Sequence, residues 1–263
     1  MSKSAPSDDA LFSTIRRFHG EQAWGSVLDA GTGWHSLSWI RTLETTRWTA
    51  ITGARAREDD LLRRLAPTGP REQDRILTGN WTDPHLLEDD VYDVVLADYL
   101  LGAIDGFAPY FQVELFERLR PHVRPGHGRL YVVGLEPYPD HAADEGGRLV
   151  LEIARLRDAC ILLAGHRCYR EYPREWVHGA LERAGFEVHD SVAIPIVYRR
   201  RFVDGQLDVC VRKLPFIRDP GLKEAMRAHI ADLRVRAHAH LLQSGGGICF
   251  GSDYVVAAGR REG

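Results

Sequence analysis

The densest run of residues able to do chemistry is Asp29-Ala30-Gly31-Thr32-Gly33-Trp34-His35-Ser36. It follows the short apolar stretch Val27-Leu28 and leads into a segment, 36–43, that reads as a helix. Two glycines this close let backbone approach a ligand, because no side chain intervenes. Their neighbours narrow what that ligand is. A phosphate-cradling loop needs GxxxxGK followed by Ser or Thr, which is absent. The dinucleotide fingerprint GxGxxG lacks its third glycine, since Ser36 stands there, and Trp34 and His35 would crowd a pyrophosphate. Asp29, directly before the turn, repels phosphate and attracts an ammonium or other cation.

The other candidates stand where apolar runs end: Thr52-Gly53 after 47–51, Asn80-Trp81 after 75–77, Asp98-Tyr99 after 94–97, and Glu136 after 129–135. Each run has the length and composition of a buried strand. Between them lie segments of helical spacing. Residues 9–17 form the first; Leu61, Leu62 and Leu65 mark one over 58–65; Phe111, Leu115, Phe116 and Leu119 mark one over 110–120. Strand and helix alternate five times in the first 139 residues, which predicts a mostly parallel sheet covered on both faces. Ligands of such sheets bind outside the carboxyl ends of the strands. The candidates therefore share one edge.

The remaining sequence predicts a helix over 144–164, with Leu149, Ile153, Leu156 and Cys160 on its apolar face. A second, over 174–184, is bounded by Pro173 and Gly185. A sixth strand follows over 186–198. Leu222, Met226, Ile230 and Leu233 define an amphipathic helix extended by Ala237 and Leu241, and a seventh strand centres on Val255 to Ala258. The expected fold is an α/β, Rossmann-like, seven-stranded and mostly parallel sheet with helices on both faces. An inserted helical segment precedes the last strand. The expected parts are an N-terminal tail and helix (1–20, the first ten residues a tail), an α/β core (21–200), a lid-like helical segment (201–250) and the final core strand (251–263).

Taken in order, VLDAGTGWH, VYDVVLADYLLG, FERLRPHVRPGHGRLYVVG, WVHGALERAGFEV and DYVVAAGR resemble the class I S-adenosylmethionine-dependent methyltransferase family. The resemblance implies a sheet whose last strand pair is reversed. It also implies S-adenosyl-L-methionine as cofactor and S-adenosyl-L-homocysteine as product. Asp29, Gly31 and Gly33 match the motif that contacts the cofactor's methionine part. Asn80 falls where an Asp or Asn contacts adenine, with Trp81 beside it to stack on the ring. Asp98 and Tyr99 fall beside the methyl donor. One place departs from the family: the acid that holds the ribose hydroxyls at the end of the second strand is replaced by Thr52-Gly53-Ala54. Either the Thr52 hydroxyl or backbone takes the ribose. The nearest acids, Glu58 to Asp60, belong to the next helix.

Methyl transfer needs proximity and orientation above all, with a base where the acceptor must lose a proton. His35, Asp98, Tyr99 and Glu136 are the candidates for that work. The expected acceptor is an oxygen or nitrogen of a small molecule. The alternatives are a peptide or protein side chain, or a cofactor-binding protein without catalysis. A nicotinamide oxidoreductase would require pyrophosphate space over the Gly31 turn.

Composition bounds the partners. Lys and Arg number 34 against 37 Asp and Glu, a net charge of -3, so no nucleic-acid partner is expected. The four cysteines form no CxxC pair, and His238 and His240 stand two apart, off a common helical face, so no metal site is expected. No apolar stretch reaches the ~18 residues of a membrane span, and the first residues lack a signal-type apolar run. A cytoplasmic protein is expected, and a homodimer is compatible with the sequence.

Overall fold

Strand Ser26–Asp29 (β1) is buried along its whole length, as a central strand with cover on both faces must be. The computed structural model describes residues 9–66 and 69–261. The expected tail lies outside them except for Asp9 and Ala10, which already belong to the first helix. Asp9 accepts a hydrogen bond from the Leu11 N–H and caps helix Ala10–His19 (α1).

The elements follow in the order read from the sequence, with additions. After β1 come Trp34–Ile40 (α2), Arg47–Thr52 (β2), Arg55–Leu65 (α3), Arg75–Thr78 (β3) and Val94–Asp98 (β4). Next are Leu100–Ala103 (α4), Leu115–Leu119 (α5) and Arg129–Leu135 (β5). The helix expected over 110–120 is broken into single turns around α5. The second half holds Glu145–Leu163 (α6), Arg174–Arg183 (α7), Phe186–Tyr198 (β6), Arg200–Lys213 (α8), Pro220–Gln243 (α9) and Ile248–Arg260 (β7).

The seven strands form one sheet in the order β3-β2-β1-β4-β5-β7-β6. The pairs among β1 to β5 are parallel, and β7 runs antiparallel to β5. The fold is the mostly parallel α/β sheet that the alternation predicts. Alternate strand residues feed opposite faces. Leu28, Val95, Leu130, Val132 and Val256 pack with Leu100, Leu115, Leu119, Val177 and Leu181 of α4, α5 and α7. Val27, Val94, Leu96, Tyr131 and Val255 pack with Leu11, Phe12, Ile15, Leu37, Ile40, Leu61 and Leu65 of α1, α2 and α3. Each such leucine or isoleucine contributes about 1.5–3 kcal/mol when fully buried.

Among the described residues the chain divides into two compact units: 9–136, 170–194 and 253–261 in one, 137–169 and 195–252 in the other. The second has its own core of Leu149, Ile153, Leu156, Cys160, Val203, Leu207, Cys210, Ile230, Leu233, Ala237 and Leu241. This helical part is larger than the 201–250 segment expected. α6 joins it because the apolar face of α6 is covered by α8 and α9.

Candidate functional site

The parallel register sets the site. Asp29 pairs with Ala50 and Leu96, and Asp98 pairs with Val133, so both carboxylates stand at the carboxyl edge. The turn after β1 is tied to both neighbours: the Ala30 N–H donates to the Leu96 carbonyl at 2.8 Å and the Thr32 N–H to the Ile51 carbonyl at 2.7 Å. Gly31 is required by space, since a Cβ there would come within 2.8 Å of Leu100 Cδ1. Gly33 faces open space, with nothing within 4 Å of where a Cβ would stand.

Asp29 is 1% exposed, and neither carboxylate oxygen has a hydrogen-bond partner. Burial pushes its carboxyl up to about 7. The nearby Thr32 and Ser36 hydroxyls offset that rise in part, and the charge of Asp98 adds to it. Both hydroxyls also donate to the Gly33 carbonyl, at 3.4 and 3.2 Å, so neither is committed to the carboxylate. A buried, unpaired carboxylate costs free energy unless something supplies a positive charge or N–H donors.

His35, at the start of α2, places Nε2 2.8 Å from Asp9 Oδ2 and Nδ1 3.8 Å from Asp98 Oδ2. The two acids push its pKa up to about 10, Asp9 first. It is thus an imidazolium at neutral pH. A protonated ring has no lone pair to accept a proton, so His35 does not fit the role of base expected from sequence. It holds Asp98 instead. The Asp98 side chain is 8% exposed, and its Oδ1 has no partner.

Tyr99 follows Asp98 with φ 49, a left-handed conformation unusual for a residue with a side chain. Its hydroxyl interacts with Asp253, and burial pushes its pKa far up, so the phenol is a neutral donor. Asp253 did not stand out in the sequence. Pairing of β7 with β5 sets Asp253 beside Leu135, which brings it to the same edge. The signal was present: an acid directly before the buried run 254–258, in a strand that returns antiparallel, arrives where the parallel strands end.

Three expected site residues do other work. Glu136 accepts from the Arg174 N–H at 3.3 and 3.4 Å, so it caps α7, where a carboxylate is favoured. Trp81 is 3% exposed and donates its indole N–H to the Ala30 carbonyl at 2.7 Å. It packs under the turn in the core and has no free face for an adenine ring. Asn80 donates to the Phe107 carbonyl at 2.9 Å and accepts from the Thr82 N–H and hydroxyl, so its amide is engaged within the loop.

The end of β2 is as bare of acids as the sequence indicates. Thr52 is buried and its carbonyl accepts from the Gly79 N–H. Glu58, in the first turn of α3, accepts from the Thr78 hydroxyl at 2.6 Å. Gly53 lies under the ring of Phe107, which a Cβ would meet at 2.7 Å. Phe107 is 47% exposed, and it supplies the accessible aromatic surface that Trp81 lacks.

Among the described residues no group of three His, Cys, Asp or Glu could hold a metal ion, and no helix is long and apolar enough to cross a membrane.

Solved structures share this fold over nearly the whole chain. A S-adenosylmethionine-dependent methyltransferase from Geobacter sulfurreducens, in complex with S-adenosyl-L-homocysteine, is 17% identical with a TM-score of 0.54, covering 97% of this chain and 92% of that one. One from Thiobacillus denitrificans, also with S-adenosyl-L-homocysteine, is 14% identical with a TM-score of 0.52 and the same coverage. The cyclase SpnF is 14% identical with a TM-score of 0.54, covering 96% of this chain and 81% of that one. No family model and no curated protein matches the sequence. The chain has the class I methyltransferase fold, and a fold by itself does not assign a reaction.

Proposed function

We propose that this chain is an S-adenosylmethionine-dependent methyltransferase acting on an oxygen or nitrogen of a small molecule. One observation carries the reading. Asp29, buried and unpaired, lies beneath a glycine turn with open space at Gly33, on the edge where ligands of this architecture bind. S-adenosylmethionine brings an ammonium and a sulfonium against one carboxylate, a net positive charge of the sign this edge calls for. Two solved neighbours contain S-adenosyl-L-homocysteine, which supports the same cofactor here.

When bound, the cofactor supplies an electrophilic methyl group. The residues of the chain supply placement. Asp29 and the turn at Gly31 and Gly33 hold the methionine part. Phe107, beside Gly53 and Asn80, offers its ring to the adenine. Asp98, fixed by the His35 imidazolium, faces the positive end of the donor. Tyr99 and Asp98 border the acceptor. Thr52 and Gly53 leave the ribose to water or backbone. Among the described residues the cysteines form no disulfide, which fits a reducing, cytoplasmic setting.

Titration calorimetry with S-adenosyl-L-homocysteine tests the cofactor assignment: saturable micromolar-range binding is expected, and none at millimolar ligand overturns it. The bare end of β2 favours a second reading, a cofactor binder without transfer. Incubation with labelled S-adenosylmethionine and a panel of small acceptors separates the two, since a binder labels none.

A further inference from the structure

Four carboxylates influence one another at the carboxyl edge: Asp9, Asp29, Asp98 and Asp253. Among the described residues, no lysine or arginine forms an ion pair with Asp29, Asp98 or Asp253; His35 bridges Asp9 and Asp98. One imidazolium cannot balance four acids. The imbalance is not a solvated acidic surface, because Asp29 is buried with both oxygens unpaired and Asp98 Oδ1 is buried and unpaired beside it. The site is built for more positive charge than the chain provides.

The cofactor assigned above accounts for part of this. Asp29 follows β1 into the glycine turn, and Asp98 ends the neighbouring β4. Asp253 is left over. It stands on the other side of β5, across from Leu135, facing the Tyr99 hydroxyl. Its carboxyl is pushed up to about 6 by burial first, with the Tyr99 hydroxyl opposing that rise and the charges of Asp9 and Asp98 adding to it. Tyr99 reaches this position through the strained backbone at φ 49. Such strain persists where surrounding structure enforces it, commonly at functional sites.

We propose that Asp253, with the Tyr99 hydroxyl, recognises the methyl acceptor, and that this acceptor is an amine that arrives as its ammonium ion. The proposal rests on the methyltransferase reading. A neutral alcohol would leave the Asp253 charge unbalanced, and a carboxylate or phosphate would be repelled by all four acids. An ammonium donates to Asp253 and is balanced by it; before the nitrogen can accept a methyl group it passes one proton to the Asp253 carboxylate, which frees its lone pair.

The test uses the full chain and three probes with one tail: butylammonium, butanol and butyrate. Each is titrated by calorimetry into protein loaded with S-adenosyl-L-homocysteine. Butylammonium is expected to bind about tenfold more tightly than the other two. Asp253→Asn is expected to remove that preference, Asp253→Glu to keep it, and both to bind S-adenosyl-L-homocysteine as the parent does. Butylammonium affinity should fall as pH drops through about 6 in the parent and stay flat in Asp253→Asn. That pH response separates recognition from a merely structural role. If the cofactor product binds but the three probes bind alike, or Asp253→Asn keeps the preference, the amine assignment is overturned and the methyltransferase reading stands. If the cofactor product does not bind, the reading beneath it falls.

Discussion

At the scale of single residues, the site is a problem in charge. Asp29 has an unfolded value of 3.8 and a folded value of about 7. The folded state therefore holds the extra proton between these values, and stability falls as pH rises through the window. The penalty is complete above about 7 and on the order of 4 kcal/mol. Asp29→Asn removes a charge and keeps the shape. It should melt above the parent at about pH 8, with the gap closing as pH falls toward 4, while its affinity for S-adenosylmethionine drops about tenfold. Thermal denaturation across pH checks the first part and calorimetry the second. His35 moves the other partner of the network. Its pKa is raised from 6.5 to about 10, so its ion pairs stabilise the fold fully below 6.5 and are lost as pH rises through 10. Half of the side chain is exposed, so His35→Gln should cost only about 0.5–1 kcal/mol at neutral pH and nothing above pH 10. Urea unfolding of the two proteins at both pH values measures the difference.

At the scale of elements, the question is what keeps the turn and the strand ends in place. Trp81 reaches from beyond β3 to the Ala30 carbonyl. Trp81→Phe fills most of the same volume but leaves a buried carbonyl unsatisfied, at a cost of about 1–3 kcal/mol. Weaker S-adenosyl-L-homocysteine binding should accompany the lower stability, because the turn it supports is the proposed binding element. Glu136 makes the opposite case. Its carboxylate caps α7, so Glu136→Ala should lower stability by about 1 kcal/mol and leave methyl transfer within about threefold of the parent. A fall in kcat of two orders of magnitude with unchanged stability would make Glu136 catalytic after all. These two residues show where the sequence stops being legible. The strands were readable because a doubly covered strand must be a short apolar run. That places residues at strand ends, but not which way their side chains turn. Trp81 turns into the core and Glu136 toward a helix start because of partners 51 and 38 residues away in sequence. Asp253 was missed because its place depends on the antiparallel return of β7, a pairing made over 118 residues with Leu135. α8 was legible and overlooked: Val203, Leu207 and Cys210 repeat at helical spacing.

At the scale of the whole molecule, the division into two units gives each its own source of stability. Every group assigned to the cofactor or the acceptor, from Asp9 to Asp253, belongs to the unit built on the sheet. The helical unit is held by a separate core in which Leu207 and Leu233 are fully buried. A cavity there acts through lost packing among α6, α8 and α9 and changes none of the carboxylates at the strand ends. Leu207→Ala should therefore destabilise the protein by about 2–5 kcal/mol in denaturant unfolding. It should bind S-adenosyl-L-homocysteine within about threefold of the parent wherever the chain remains folded, since independent sites act additively. The converse also holds. On the proposed assignment the cofactor product binds the folded sheet unit, so at a hundredfold excess over Kd it should raise that unit's stability by about 2.7 kcal/mol. In calorimetric melting, the Leu207→Ala transition and the ligand-shifted transition should then be separable. A single transition that moves with both changes would instead mean that the two cores unfold together, and that the helical unit bears on cofactor affinity through the shared folding equilibrium.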